Sequence, residues 1–184
     1  MKSPLFYFLA VFILAVAADS NNAIDEKNGF KKYKLGTVIN SYSGFTYADA
    51  KHQSTRPDSC SVVYQKDPEM ADNIGEVKVS KIYLTTSADT ITKIEVPLGE
   101  PAISKVLDAF TKEFGKYETV EKDGNPIYKW AGKNVTLSLV DNAHRRGNKD
   151  YAKGPSDVIS VTSKDMDLVR KRCSQHANNS ADSL

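Results

Sequence analysis

Apolar residues in this chain change their spacing twice, and that change limits the folds open to it. After Pro97, Ile103, Val106, Leu107, Phe110 and Phe114 fall at i, i+3, i+4, i+7 and i+11, one continuous face of an α-helix. Before Pro97 the spacing is two: Val77 and Val79 alternate with charged residues, and Thr92, Ile94 and Val96 alternate again. After the helix it returns to two at Val135, Leu137 and Leu139, with Thr136 and Ser138 on the opposite face. A helix with one apolar stripe, placed between half-buried strands, must bury that stripe against a sheet.

The boundaries follow from turn chemistry. Pro101 suits the first helical turn, where its missing N–H is no loss, and Gly115 suits the residue that ends the helix, with Tyr117 packing back on the last turn. Ser87-Ala88-Asp89 predicts a turn between two strands. Ile82 and Leu84 continue Val77 and Val79 on the other parity, which predicts a bulge near Ser80-Lys81 if the strand is unbroken. Ile127 to Trp130, the turn-prone Ala131-Gly132-Lys133-Asn134, and Val135 to Val140 predict a second hairpin. A polar loop from Asp141 to Pro155 leads to a short strand at Asp157 to Val161. A last helix is expected from Lys164 to Ser174, capped by Thr162 or Ser163, with Asp165 in its first turn and Met166, Val169 and Cys173 on one face. From Gly29 the texture is mixed, with KKYKLGTVINSYSGFTYADA offering short extended stretches and no sustained period, and residues 51–59, KHQSTRPDS, read as a loop. The expected fold class is α+β: a mainly antiparallel sheet with two helices packed on one face, in a single domain over residues 29–174, followed by a polar tail at 175–184.

The first residues point to export. Lys2 precedes the apolar run Leu5 to Ala17, which closes on the small-x-small signal Ala15-Val16-Ala17, so residues 1–17 read as a signal peptide. That run is shorter than the roughly 20 residues a membrane-spanning helix needs. Residues 18–28 read as a flexible polar lead. Cleavage of the signal segment leaves about 166 residues, enough for one domain with its own core. The localisation expected is secreted or periplasmic, where the two cysteines, Cys60 and Cys173, would pair as a disulfide. Loss of Lys2 lowers the formal net charge from +2 to +1, a balance unlike that of a dedicated nucleic-acid binder.

Motifs of chemistry are sparse. His52, His144 and His176 sit in loop or tail segments without a His, Cys or acid at metal-ligand spacing, so no metal or cofactor is expected. Ser43 precedes Gly44 outside any G-x-S-x-G elbow, and no phosphate-binding glycine loop or calcium loop is present. No catalytic residue is assigned. Two features point to binding instead. The Asp141–Pro155 loop carries His144, Arg145, Arg146, Lys149, Tyr151 and Lys153, a basic surface with an aromatic that suits an acidic protein, a glycan or an anionic headgroup. Tyr128 and Trp130 share strand parity, and serve either as core plugs or as exposed interface anchors. Asn134-Val135-Thr136 and Asn178-Asn179-Ser180 match the glycan acceptor pattern, which recurs by chance and decides nothing.

The run AISKVLDAFTKEFGKYE, followed by PIYKWAGKNVTLSL, resembles small exported bacterial α+β domains of unassigned function, as does KLGTVINSY nearer the start. In layout the chain is distantly similar to the small outer-membrane-assembly lipoproteins and to the β-lactamase-inhibitor protein. It departs from the lipoproteins in having no lipidation cysteine directly after the cleavage signal, where Ala18 and Asp19 stand. The function expected is an exported, non-catalytic binding or structural domain with a protein partner. No stable membrane anchor is expected, although the loop and Arg170-Lys171-Arg172 allow peripheral contact with anionic lipid. The alternative is a secreted hydrolase whose Ser, His and Asp assemble from distant positions.

Overall fold

The computed structural model of the protein describes residues 20–48, 61–66, 73–79, 81–98, 102–142 and 157–165. In chain order these form α1 (Ser20–Lys27), β1 (Gly29–Phe30), β2 (Tyr33–Lys34), a 3-10 turn (Ile39–Ser41), β3 (Thr46–Tyr47), β4 (Ser61–Lys66), β5 (Asn73–Ile74), β6 (Val77–Lys78), β7 (Ile82–Ser87) and β8 (Thr90–Pro97). Then follow α2 (Ile103–Phe114), β9 (Glu118–Lys122), β10 (Asn125–Ala131), β11 (Val135–Val140) and β12 (Val158–Ser163). The architecture is α+β and mainly antiparallel sheet. Eight strands lie in the order β3-β4-β7-β8-β12-β11-β10-β9, every neighbouring pair antiparallel.

Register explains which residues form the core. Trp130 stands opposite Leu137, Leu137 opposite Val161, Val161 opposite Ile94, and Ile94 opposite Leu84; all are buried. One residue along each strand, the row Lys129, Ser138, Ser160, Glu95 and Tyr83 runs across the other face. Period two in each strand therefore becomes an apolar face and a polar face of the sheet. Val106, Phe110 and Phe114 of α2 and Ile24 of α1 join the same buried cluster as the apolar face. Each such side chain contributes about 1.5–3 kcal/mol on burial.

The helical stripe lands where its spacing put it: Val106, Phe110 and Phe114 are buried, and Ile103 and Leu107 are half-buried against the core. Gly115 ends α2 at φ 77° and ψ −156°, a region essentially reserved for glycine. The turn between β7 and β8 holds Ala88 and Asp89 at φ 47° and 63°, between the paired Ser87 and Thr90. Positive φ at both central residues is the hairpin geometry that matches strand twist.

Several expectations are corrected. Residues 18–28 were expected to be a flexible lead, but residues 20–27 form α1, and Ile24 is only 4% exposed. A helix this short and polar is not stable in isolation, where about 12–15 residues are needed, so tertiary contacts hold it. The bulge expected at Ser80-Lys81 is instead a strand break, with β6 ending at Lys78 and β7 beginning at Ile82. The register shift lies further on: Thr85 pairs with Lys93 but Thr86 pairs with Ile91, which leaves Thr92 as the extra residue. Ile91 and Thr92 are consequently both buried, and the Thr92 hydroxyl donates to the Thr85 carbonyl at 3.1 Å. Strand β9 was not anticipated, although its turn into β10, Asp123-Gly124 with φ 53° and 74°, is a strong hairpin signal. Of the last expected helix, Lys164 and Asp165 are helical and the remainder lies outside the described residues, as do the signal segment, Cys60, Cys173 and the tail.

Candidate functional site

Trp130 is a core residue, not an exposed interface anchor. It is 2% exposed, and its indole N–H donates to the Gly115 carbonyl at 2.9 Å, joining β10 to the end of α2. Its ring sits 5.5 Å from Phe110 and 5.4 Å from Tyr117, both edge-on, and Tyr117 meets Tyr128 edge-on at 5.2 Å. The reason is register: Tyr128 and Trp130 stand opposite Leu139 and Leu137, on the face that α2 covers. Tyr128 is half-buried at the margin of this cluster. Burial, and then the Asp141 charge and Tyr117, push its phenol above the ordinary tyrosine range.

The tip of this hairpin is held from far away. The Asp25 carboxylate of α1 accepts the backbone N–H groups of Lys133 at 2.6 Å, Asn134 at 2.9 Å and Val135 at 2.8 Å. Lys164 adds a second hold, its N–H donating to the Asn134 carbonyl at 2.8 Å and its ammonium to the Gly132 carbonyl at 3.0 Å. Burial works to raise the Asp25 pKa, but the three N–H bonds and the Lys164 charge outweigh it and hold the carboxyl below the usual range. This site is fully used by the protein itself, so its chemistry is architectural.

The Asp141–Pro155 loop springs from a closed base. Val140 pairs with Val158, the Asn142 N–H donates to the Asp157 carboxylate at 3.0 Å, and the Leu98 N–H donates to the Asp157 carbonyl at 2.8 Å. His144, Arg145, Arg146, Lys149 and Tyr151 lie outside the described residues, as do His52 and His176. Among the described residues, no three His, Cys, Asp or Glu side chains gather as a metal site would require. No helix among them is long and apolar enough to cross a membrane.

A site that sequence reasoning missed lies where α1, the β1–β2 hairpin, the β5–β6 hairpin and α2 meet. It is a groove of about 280 Å³. Its walls include Phe30, Ile74, Ala109, Phe110, Phe114 and Leu137, and its rim carries Lys27, Lys31, Lys34 and Glu113. The Lys27 ammonium pairs with Glu113 and sits 5.3 Å from the centre of the Phe114 ring. The Lys31 ammonium donates to the Asn73 carbonyl at 2.6 Å, and the Lys34 ammonium donates to the Lys27 carbonyl at the end of α1. Three cations thus share a rim with one carboxylate. Burial, then Lys34 and Lys31, lower the Lys27 pKa, the sign expected where like charges crowd.

Local sequence shapes this groove through Gly29. A Cβ there would stand 2.0 Å from the Tyr33 carbonyl oxygen, so only glycine lets β1 lie this close to β2. Lys31, at φ 55°, turns the hairpin. The signal in the sequence was the run EKNGFKKYK, with three of its lysines on the rim and Phe30 in the wall. No period marks the run, because its residues lie in the end of α1, a turn and two very short strands.

Neither a protein family, a curated protein nor a solved structure matches this chain.

Proposed function

We propose that this protein is a single exported domain, acting in the periplasm or extracellular space, that binds a ligand or partner without transforming it. The observation that carries the reading is the meeting of Lys27, Lys31 and Lys34 above an apolar-walled groove, with Glu113 as the counter-charge on the rim. Cations gathered at the mouth of an apolar recess favour an anionic group joined to an apolar body. A few placed charges around an apolar pocket are the usual composition of a binding site. The basic loop, with His144, Arg145, Arg146, Lys149 and Tyr151, would extend contact onto an acidic protein partner, with Tyr128 as a half-buried aromatic near the base.

The test is capture of partners from the host's envelope and culture fluid by the mature wild-type protein. Two variants serve as comparisons: Lys31→Glu with Lys34→Glu, and Arg145→Ala with Arg146→Ala. We expect one component that wild type retains, that the lysine variant loses, and that the arginine variant holds less well. Equal retention by wild type and the lysine variant would remove the groove from the function.

A further inference from the structure

We infer that the lysine-rimmed groove takes a single-chain fatty carboxylate of about ten carbons, with its alkyl chain along the apolar walls and its head between Lys31 and Lys34. The inference rests on the binding-domain reading above and names the class of ligand. Size comes first. A volume of about 280 Å³ is on the order of ten times the roughly 30 Å³ a water molecule occupies, and a methylene is of similar size. A two-chain lipid is far too large for it.

Polarity comes second. The groove is walled by Phe30, Ile74, Phe110, Phe114 and Leu137, which offer hydrocarbon to a ligand's body. The two rim carbonyls nearest the cations, Lys27 and Asn73, already accept from Lys34 and Lys31. A peptide inserted here would bring backbone N–H groups that need acceptors, and leaving them unmatched is costly. An alkyl chain brings none.

Charge comes third. Glu113 is matched with Lys27, so Lys31 and Lys34 hold charge that the rim's carboxylate leaves uncompensated. An ammonium has three donors, and the carbonyl bonds of Lys31 and Lys34 engage one each, which leaves donors to turn toward a carboxylate. Both residues line the groove, Lys31 exposed and Lys34 half-buried, so a ligand's head can remain at the water boundary while its tail is buried.

The experiment is calorimetric titration of the mature protein, below the micelle-forming range, with decanoate, decanol, decyltrimethylammonium and a short free-carboxylate peptide ending in leucine. We expect saturable one-to-one binding of decanoate, weakened by about tenfold or more in Lys31→Met with Lys34→Met. Decanol should bind at least about tenfold more weakly than decanoate, and the cation should not bind. Ala109→Phe, which fills the groove from a half-buried position on α2, should abolish decanoate binding. Retained Trp130 fluorescence and an unchanged unfolding midpoint in the lysine variant would show that its loss is not one of folding. Absence of saturable decanoate binding, equal binding of decanol, or tighter binding of the peptide would overturn the inference. If decanoate fails while Lys31→Glu with Lys34→Glu still loses its native partner, the ligand class falls and the binding-domain reading stands.

Discussion

The β7–β8 and β10–β11 hairpins sit in the same sheet and are finished in opposite ways. The first takes its geometry from its own residues, Ala88 and Asp89 at positive φ with Thr90 bonding back to the Ala88 carbonyl, and meets a backbone neighbour, the Ile39 N–H donating to the Asp89 carbonyl at 2.9 Å. The second has a wider tip whose N–H groups point at a carboxylate on α1, up to 110 positions away in sequence. The conformation of one turn is set by its own residues, while the N–H groups of the other are satisfied by a remote side chain. Tip N–H groups with no acceptor of their own must find one in water or elsewhere in the chain. Asp25 supplies it, and in doing so fixes α1, which carries Lys27 to the rim of the groove.

The largest way to break the contrast is Trp130→Ala. It removes the seat of β10 on α2, together with the Gly115 bond, and should destabilise by about 3–5 kcal/mol in chemical denaturation. A cost under about 1 kcal/mol would mean that the hairpin does not depend on α2. Next comes Gly29→Ala, whose Cβ has no room beside the Tyr33 carbonyl. It should cost about 1–3 kcal/mol and disturb the groove, read as lost stability together with altered lysine signals in NMR.

Asp25→Ala tests the remote tip directly. We expect a loss of about 1–2 kcal/mol, comparable to removing a good helix cap. Hydrogen exchange should accelerate at Lys133, Asn134 and Val135 and stay unchanged at the Ala88-Asp89 turn; equal acceleration at both would erase the distinction. The pH dependence follows from sign. The folded state lowers the Asp25 pKa, so its contribution is complete above the ordinary aspartate value and fades as pH falls through the folded one. The stability gap between wild type and Asp25→Ala should therefore be constant near neutrality and narrow in acid, below about pH 4.

The smallest effect is a gain. Ala88→Asn with Asp89→Gly places residues that favour positive φ where the backbone already has it, and should stabilise by about 0.4–1 kcal/mol. No gain would mean that the β7–β8 turn is not limited by its own conformation.

What could be read in advance divides along the same line. The α2 stripe from Ile103 to Phe114, the Ser87-Ala88-Asp89 turn and the alternation of Val135, Leu137 and Leu139 each lie within a dozen residues of chain. Parity in β6 and β7 marks a slip without saying whether the strand bulges or breaks, and the pairing shows a break, β6 ending at Lys78 and β7 beginning at Ile82. The extra residue at Thr92 is a separate feature, between β7 and β8, that only pairing shows. Strand β9 escaped because Val120 is its one apolar residue, as suits an edge strand with little to bury.

Of the candidate site, almost nothing was visible. Trp130 was identifiable as an aromatic of β10, but whether it faced water or α2 depends on which face of the sheet the helix covers. The rim lysines stood in plain sight as EKNGFKKYK and looked like an ordinary solvated stretch. Periodicity and turn preference express interactions between near neighbours, so strand, turn and helix assignments were written in the chain itself. The Asp25 clamp, the folding of a polar segment into α1 and the groove between four elements join residues far apart in sequence. Their energies exist only once the core has brought those residues together, and so the tertiary structure alone decided them.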